Sequence, residues 1–401
     1  MSLEPRILVY SSLFPSPADP AAGVFIRERM FRVAKHAPMV VVSPKAWFPG
    51  EGLIRLFRPR FRPLAPRFEV QQGVHVHAPR FLSIPGLFKS FDSLFMALGS
   101  YATLRRLRRE FGFNLIDAHF GYPDGHAASL LGRWMDLPVS ITLRGSERTY
   151  IQHSPFRRRI AAALHSAKRV FTVSESLRRI AVNLGIPEEK TRAIGNAVDS
   201  ERFKPEDRRI ARQRFGLDPD DQVIITVGWL VERKGFHRVI ACLPELIVKY
   251  PRLRYLVVGG ASSTGSIEEE LRRQVATLDL GDHVRFLGMM PADELKWPLS
   301  AADVFALATR REGWANVLLE AMACGLPVVA TNVDGNPEVV CRPELGALVP
   351  FGDHAALRDA LERALDGNWD KSAIRAYAVK QSWENRVAVL CGEFHAMVRG
   401  T

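Results

Sequence analysis

The chain has 401 residues, of which 47% are hydrophobic and 24% are charged, a balance typical of folded globular proteins. This length favours two domains over a single core. The composition excludes a largely disordered chain, a collagen-like chain and a coiled coil. The 4 cysteines lie far apart without a Cys-x-x-Cys pair, so we expect reduced thiols rather than a zinc ribbon or a disulfide scaffold.

The positive charge is concentrated in the first half of the chain. Residues 1–190 contain 28 Lys and Arg against 14 Asp and Glu, whereas the remainder contains 27 against 29. Basic and apolar residues interleave in one segment, which suits an anionic membrane surface. An ordinary solvated basic face is the simpler interpretation, and no recognition motif for nucleic acid accompanies the charge. The interleaved residues are Arg55, Leu56, Phe57, Arg58, Arg60, Phe61, Arg62, Leu64, Arg67 and Phe68.

The first half alternates short apolar runs with helix-like stretches. This βαβ pattern predicts a parallel sheet, and Ser174 is placed to cap the helix that follows it. We expect no membrane-spanning helix, because no run of about 18 apolar residues occurs, and no signal peptide at residues 1–10. The predicted strands are 7–10, 39–42, 115–118, 138–143 and 169–173, and the predicted helices include 24–36, 91–104 and 125–134.

The second half repeats the alternation. Gly325 and Pro327 are the usual stop signals after a helix. Two successive α/β series predict two doubly wound, Rossmann-like domains, with ligands bound in a cleft beyond the carboxyl ends of the strands. The predicted strands are 223–227, 255–258, 284–287, 304–307 and 328–330, and the predicted helices are 236–250, 267–278 and 317–323.

The most informative segment, residues 312–325, carries Glu312 in a loop and Glu320 in the helix that follows. Free backbone N–H groups between Trp314 and Val317 would form an anion site. Glu320 has only apolar neighbours, so its carboxylate needs hydrogen-bond donors, and the vicinal hydroxyls of a ribose would supply two. An exposed glutamate or a structural ion pair is the simpler alternative.

Four further polar residues follow predicted strands. Arg233 and Lys234 occupy a turn after a strand, where they would neutralise a diphosphate as its charge develops, although a solvated basic turn is the simpler alternative. His119 enters a glycine-rich loop, and a lone histidine is more often a satisfied core residue. Arg144 follows the next strand in a polar turn.

No convincing metal site is apparent. Residues 218–221 contain an Asp-x-Asp pattern, but a proline places it in a surface turn before a strand. His75 and His77 alternate as in a strand and have no third ligand nearby in sequence. Catalysis that depends on a bound metal ion is therefore disfavoured.

Taken together, these motifs resemble glycosyltransferase family 4, whose members have the GT-B fold of two Rossmann-like domains facing each other across a cleft. The resemblance covers nearly the whole chain and is also carried by residues 192–199, 334–338, 349–353 and 382–384. It implies an acceptor-binding domain over residues 1–198 and a donor-binding domain over 199–374. Residues 375–401 would form a helical segment that crosses back to the first domain.

The resemblance also implies roles for individual residues. His119, Lys234 and Glu312 would be the catalytic residues, with His119 near the reacting carbon of the sugar and Lys234 on the diphosphate. Trp229 stands where the family usually has Arg, and Arg144 where it often has His. The implied donor-binding residues are Gly23, Arg144, Arg233, Lys234, Glu312, Gly313, Trp314, Ala315, Asn316, Val317 and Glu320.

The implied activity is the transfer of a hexose-type sugar from a UDP- or GDP-sugar to a glycan or lipid-linked acceptor, with retained anomeric configuration. No metal or cofactor is implied besides the nucleotide sugar. We expect a cytoplasmic enzyme, peripheral on the cytoplasmic face of an anionic membrane, and no nucleic-acid partner. Two alternatives stay open: a sugar-nucleotide epimerase on the same fold, and a catalytically silent nucleotide-sugar-binding subunit of a polysaccharide assembly complex.

Overall fold

The computed structural model describes residues 4–57, 61–62, 65–262 and 265–399. The chain separates into two compact units. Unit 1 extends to Asn196 and resumes at Glu384, and unit 2 comprises Ala197–Trp383. Arg58, Arg60 and Leu64 of the basic segment lie outside the described residues.

Unit 1 is built on a parallel sheet with helices on both faces. Its strands are β1 (Ile7–Tyr10), β2 (Met39–Val42), β3 (Lys45–Trp47), β4 (Phe68–Gln71), β5 (Val74–His77), β6 (Arg80–Leu82), β7 (Leu115–His119), β8 (Val139–Leu143), β9 (Arg169–Thr172) and β10 (Thr191–Ala193). Its first helices are α1 (Val24–Val33), α2 (Glu51–Phe57), α3 (Asp92–Glu110), α4 (His126–Met135), α5 (Glu147–Tyr150), α6 (Ser154–Ser166) and α7 (Glu175–Asn183).

Within the described residues this sheet has eight strands, in the order β10-β9-β8-β7-β1-β2-β5-β4. All pairs are parallel except β4 with β5, which form an antiparallel hairpin at the edge. The central strands are buried on both faces, and β1 and β2 are continuous apolar runs because helices cover both sides of the sheet. β3 and β6 form a separate two-stranded sheet.

Unit 2 has a six-stranded parallel sheet, in the order β13-β12-β11-β14-β15-β16. These strands are β11 (Gln222–Val227), β12 (Leu253–Val258), β13 (Val284–Gly288), β14 (Val304–Leu307), β15 (Val328–Thr331) and β16 (Gly346–Val349). The helices are α8 (Arg208–Arg214), α9 (Phe236–Lys249), α10 (Glu268–Thr277), α11 (Lys296–Ala301), α12 (Asn316–Ala323), α13 (Asn336–Val339), α14 (His354–Asp366) and α15 (Lys371–Lys380).

The last helix, α16 (Trp383–Arg399), packs in unit 1. Leu390 and Phe394 belong to the same buried cluster as Ile26 and Met30 of α1. By contrast, α15 stays with unit 2, because its buried side chains share a core with α12. The observed units therefore differ from the expected limits: residues 375–383 group with unit 2 rather than with the returning segment.

The predicted class of two α/β domains with parallel sheets is confirmed, and the structure adds elements that were not predicted, among them the edge hairpin of β4 and β5. The helix predicted over 24–36 ends at Val33, because Pro38 follows and i→i+3 bonds tighten the last turn. Ser174 caps α7 as predicted, since its hydroxyl accepts the N–H of Leu177 at 3.3 Å. In the described part of the chain, no helix is both long enough and apolar enough to cross a bilayer.

Candidate active site

A buried ion pair in unit 2 joins two of the predicted catalytic residues. Lys234 Nζ lies 2.5 Å from Glu312 Oε1, and each side chain is only 10% exposed. Arg233 donates from its guanidinium to the same oxygen at 3.2 Å and to the carbonyl oxygen of Arg311 at 2.7 Å. In the described residues, Glu312 Oε2 has no hydrogen-bond partner, so this carboxylate retains one oxygen to offer to a ligand.

The turn that carries Lys234 depends on a glycine. A single 3₁₀ turn over Glu232–Lys234 follows β11, and Gly235 then adopts a φ of +81°. A Cβ on Gly235 would lie 1.9 Å from the carbonyl oxygen of Ala308, just after β14. The bare backbone lets the turn pack directly against the neighbouring strand end, which brings Lys234 to the loop that carries Glu312.

Two polar residues that the motif analysis did not assign hold this loop in place. The Thr309 hydroxyl lies 2.9 Å from the carbonyl oxygen of Arg233 and 3.4 Å from Glu312 Oε1. Asp334 accepts the backbone N–H of Glu312 at 3.0 Å. Because β11, β14 and β15 are parallel neighbours, their carboxyl ends meet at one edge and bring these residues together. Polar residues directly after apolar strands were the sequence signal for both.

The start of α12 completes the group in unit 2. Ala315 caps this helix without a side-chain hydrogen bond, and Trp314 Nε1 is buried without a partner in the described residues. Asn316, Val317 and Glu320 are half-buried, whereas the remaining side chains of α12 are buried. The spacing of these three residues puts them on the helix face turned away from the core. Gly313, also half-buried, links this face to Glu312.

His119 and Arg144 meet in unit 1, because they follow the paired strands β7 and β8. Arg144 Nε and Nη2 lie 3.2 and 3.0 Å from His119 Nδ1, and Nη1 lies 3.4 Å from Asn196 Oδ1. Since a guanidinium has only donors, Nδ1 accepts, and the proton of the neutral ring sits on Nε2. His119 has no exposed surface, so Arg144 is the outer member of this pair.

Two buried charges that the motif analysis did not single out surround His119. Asp117 Oδ2 lies 3.4 Å from His119 Nε2, and the Ser140 hydroxyl donates to Asp117 Oδ1 at 2.7 Å. Arg29 of α1 donates to the carbonyl oxygens of residues 194 and 195, whereas its Nε and Nη1 are buried and unpartnered in the described residues. In the sequence, Asp117 was marked only as a charge within a mainly apolar strand, and Arg29 only as a charge within a helix.

Burial governs the protonation of this cluster. It raises the pKa of Asp117 to about 6. Burial, followed by the positive charges of Arg144 and Arg29, lowers the pKa of His119 well below its usual value. His119 is therefore a neutral acceptor for Arg144 at neutral pH. Gly23 precedes α1, the helix of Arg29, at a φ of +66°, where a Cβ would lie 2.3 Å from the carbonyl oxygen of Leu13.

The described residues contain no group of three or more His, Cys, Asp or Glu side chains arranged to hold a metal ion. In the Asp-x-Asp turn, Asp221 accepts the N–H of Asp218 at 2.9 Å and lies 3.5 Å from Arg252. His75 and His77 of β5 share one face of the edge hairpin, where Phe68 contacts both rings. These acidic and histidine residues have structural partners, and the prediction of metal independence stays a prediction.

The chain matches known glycosyltransferases along most of its length. The family model described as Glycosyltransferase Family 4 matches residues 54–202, and the model described as Glycosyl transferases group 1 matches residues 207–381. TuaC of Bacillus subtilis, named as a glycosyltransferase of teichuronic acid biosynthesis, is 26% identical over 96% of this chain and 92% of its own. The D-inositol 3-phosphate glycosyltransferase of Corynebacterium urealyticum is 32% identical over 68% of this chain and 69% of its own.

Solved structures show the same architecture. Alr3699/HepE from Anabaena, crystallised in complex with UDP and also with UDP-glucose, superposes with a TM-score of 0.74 for the UDP complex. The likeness covers 98% of this chain and 100% of that chain at 19% sequence identity, so it establishes the fold alone. The family models and the relatives above show that this chain belongs to glycosyltransferase family 4, and the solved structures show the GT-B fold of this glycosyltransferase.

Proposed function

We propose that this enzyme transfers a hexose-type sugar from a UDP- or GDP-sugar to a glycan or lipid-linked acceptor at a membrane surface, retaining the anomeric configuration and using no metal. The observation that carries the donor part is the Lys234–Glu312 pair beside the start of α12. It supports a site in which one carboxylate oxygen orients the ammonium group and the other accepts sugar hydroxyls. The UDP and UDP-glucose complexes of the Anabaena protein support the same class of donor.

Lys234 is suited to stabilise a leaving diphosphate. One of its three N–H donors is directed to Glu312, which leaves two for phosphate oxygens. Arg233 adds a second cation whose side chain is 38% exposed. Because both cations are held in place before the reaction, they stabilise the charge that builds up on the diphosphate in the transition state.

The proposed reaction exchanges one bond for another at the anomeric carbon. The bond to the diphosphate oxygen breaks, the acceptor oxygen bonds to the same face of the carbon, and the acceptor's proton passes to the departing diphosphate. Arg144, as the outer member of the pair with His119, is proposed to contact the donor. His119 and Asp117 would then act by orienting the Arg144 guanidinium.

The donor pair is tested by substitution. We expect Lys234→Met or Glu312→Gln to lower kcat by about 10²-fold or more, because each removes one partner of a preorganised charge site. The matched control is Arg310→Gln, an exposed residue of the same loop, which should retain wild-type turnover. Steady-state kinetics with the accepted donor measure the effect.

The donor for that assay is identified by measuring thermal unfolding in the presence of one nucleotide sugar at a time. A ligand at about 100 times its Kd adds about 2.7 kcal/mol of apparent stability, so the melting temperature identifies it. Product analysis by NMR then reports the anomeric configuration, and assays with a chelator report metal dependence. Wild-type turnover by Lys234→Met or Glu312→Gln would overturn the assignment of the donor site.

A further inference from the structure

A cavity on the flank of unit 1 has no part in the donor site. Its volume is about 1110 Å³, and none of the predicted site residues lines it. Small residues of α3, namely Gly99, Ala102 and Thr103, form one wall. Gly99 lies so close to the carbonyl oxygen of Arg80 that an added Cβ would come within 2.5 Å of it. The space beyond this contact stays open because the helix presents little side-chain volume there.

The edge hairpin forms the opposite wall and presents rings to the cavity. In the antiparallel register, Phe68 lies opposite His77 and Val70 opposite His75, so these four side chains share one face. The Phe68 ring packs on both histidines, at 5.0 and 5.5 Å between ring centroids. This face is apolar and aromatic, and Phe68 itself is substantially exposed.

Positive charge collects at one end of the cavity. Arg67 and Arg80 both line it, and the hydrogen bond from the N–H of Ala78 to the carbonyl oxygen of Arg67 holds their segments side by side. In the described part of the chain, neither side chain has a carboxylate partner. Arg106 of α3 also lines the cavity, with Nε 3.7 Å from the Glu110 carboxylate.

His77 adds a neutral donor beside these arginines. Arg106 Nη2 lies 3.4 Å from His77 Nδ1, so Nδ1 accepts and the ring proton sits on Nε2. Burial, followed by Arg106 and His75, lowers the pKa of His77, which keeps the ring neutral at neutral pH. The Nε2–H makes no hydrogen bond within the described residues. Arg67 and Arg80, unlike Arg106, have no carboxylate to pair with in the described residues.

The other end of the cavity is apolar. Met39, Leu107 and Phe111 line it, together with the exposed Glu110. Gly99 and Glu110 are eleven residues apart on α3, which corresponds to about 16 Å along the helix. The cavity thus runs from a group of arginines to an apolar end, the arrangement that fits a molecule with an anionic head and an apolar body.

We infer that this cavity is a binding site for a single-chain amphiphile with a phosphate head, which Arg67 and Arg80 bind at one end while Met39, Leu107 and Phe111 contact its chain. This site goes beyond the proposed transfer reaction, because it requires neither the donor nor the acceptor. Its binding is measurable without turnover.

Isothermal titration calorimetry tests the inference with three probes: dodecyl phosphate below its micelle concentration, dodecyl maltoside and inorganic phosphate. We expect one saturable site for dodecyl phosphate, and binding at least tenfold weaker for each of the other two. Arg67→Gln combined with Arg80→Gln should weaken dodecyl phosphate binding by at least about tenfold, since charge-assisted hydrogen bonds are lost. Ala102→Trp should abolish it by filling the cavity.

Arg109→Gln is the matched control, because Arg109 is exposed on the same helix and does not line the cavity. It should bind dodecyl phosphate as the wild type does. Thermal unfolding of each variant confirms that the exposed substitutions leave the fold intact. Equal affinity for dodecyl phosphate and dodecyl maltoside, or unchanged binding by folded Ala102→Trp, would overturn the inference.

Discussion

Asp117 and His119 lie next to each other in unit 1 without exposed surface, and burial shifts their pKa values in opposite directions. The pKa of Asp117 is raised to about 6, so the folded state holds this proton at pH values where the unfolded chain has released it. Stability from this group is therefore lost as the pH rises from about 4 to about 6. The lowered pKa of His119 acts in the opposite sense, since the unfolded chain binds the proton there.

We predict that Asp117→Asn removes the acidic part of this dependence. Each unit of pKa difference corresponds to about 1.4 kcal/mol, so the unfolding free energy of the variant, relative to wild type, should rise by on the order of 2 kcal/mol between pH 4 and pH 6. Urea unfolding across this range measures it, with Asp136→Asn, an exposed carboxylate of the same unit, as the control. A pH-independent difference would mean that Asp117 is ionised throughout.

Sequence patterns identified the charged residues of the donor site but not the residues that hold them. Lys234 and Glu312 stand in motifs whose spacing points to chemistry, and the structure brings them into contact. Thr309 and Asp334 act through a hydroxyl and a carboxylate on the loop backbone, a role that depends on which strand ends are neighbours. That strand order was not readable from one sequence. The same reason hid the contact between Arg144 and His119.

Among the elements, the turn between β11 and α9 determines where Lys234 stands. Gly235 is its critical residue, with a φ of +81° and no room for a Cβ beside Ala308. Gly352 has nearly the same φ, +82°, but a Cβ there would meet nothing within 4 Å. Alanine variants at these two positions therefore distinguish the strain of a left-handed backbone, which both share, from the effect of close packing, which only position 235 has.

We predict that Gly235→Ala lowers both stability and turnover, whereas Gly352→Ala costs only the left-handed strain of about 1–2 kcal/mol. The methyl group at position 235 must push the turn away from β14 and move Lys234 from Glu312. Urea unfolding and kcat are the two measurements. If both variants lose the same stability and Gly235→Ala retains full turnover, the packing of this turn does not position the lysine.

Most strands and helices could be predicted from apolar periodicity. The edge strand β4 of the first sheet could not be predicted in this way. β1 and β2 are fully buried apolar runs, so their sequence alone indicates strands. β4 alternates exposed and half-buried side chains and was not predicted as a strand, and its first residue, Phe68, was assigned to a basic surface segment. Its pairing with β5 comes from the register of the hairpin, which depends on tertiary context as much as on local sequence.

At the scale of the whole molecule, unit 1 carries the excess positive charge and also a segment in which exposed apolar residues lie beside arginines. Leu56 and Phe57, at the end of α2, are 74% and 87% exposed and lie beside Arg55. Exposed apolar side chains next to cations are the arrangement of a membrane-surface segment. The proposal of a membrane-bound acceptor rests on this surface together with the charge asymmetry.

We predict that the enzyme sediments with vesicles that contain anionic lipids at low salt, and less at high salt. Leu56→Ser combined with Phe57→Ser should reduce the bound fraction at low salt, because the apolar contact is lost. Val248→Ser is the matched control, since Val248 is 85% exposed in unit 2. Equal binding to neutral and anionic vesicles would count against an electrostatic surface.

Because α16 supplies part of the core of unit 1, the order of synthesis on the ribosome matters for this chain. The strands of unit 1 emerge first, yet they must wait for all of unit 2 before Leu390 and Phe394 become available. Glu393, which pairs with Arg169 and Arg192, arrives equally late. Until α16 has been synthesised, the nascent first unit lacks part of its core, and chaperones are expected to bind its exposed apolar residues during this period.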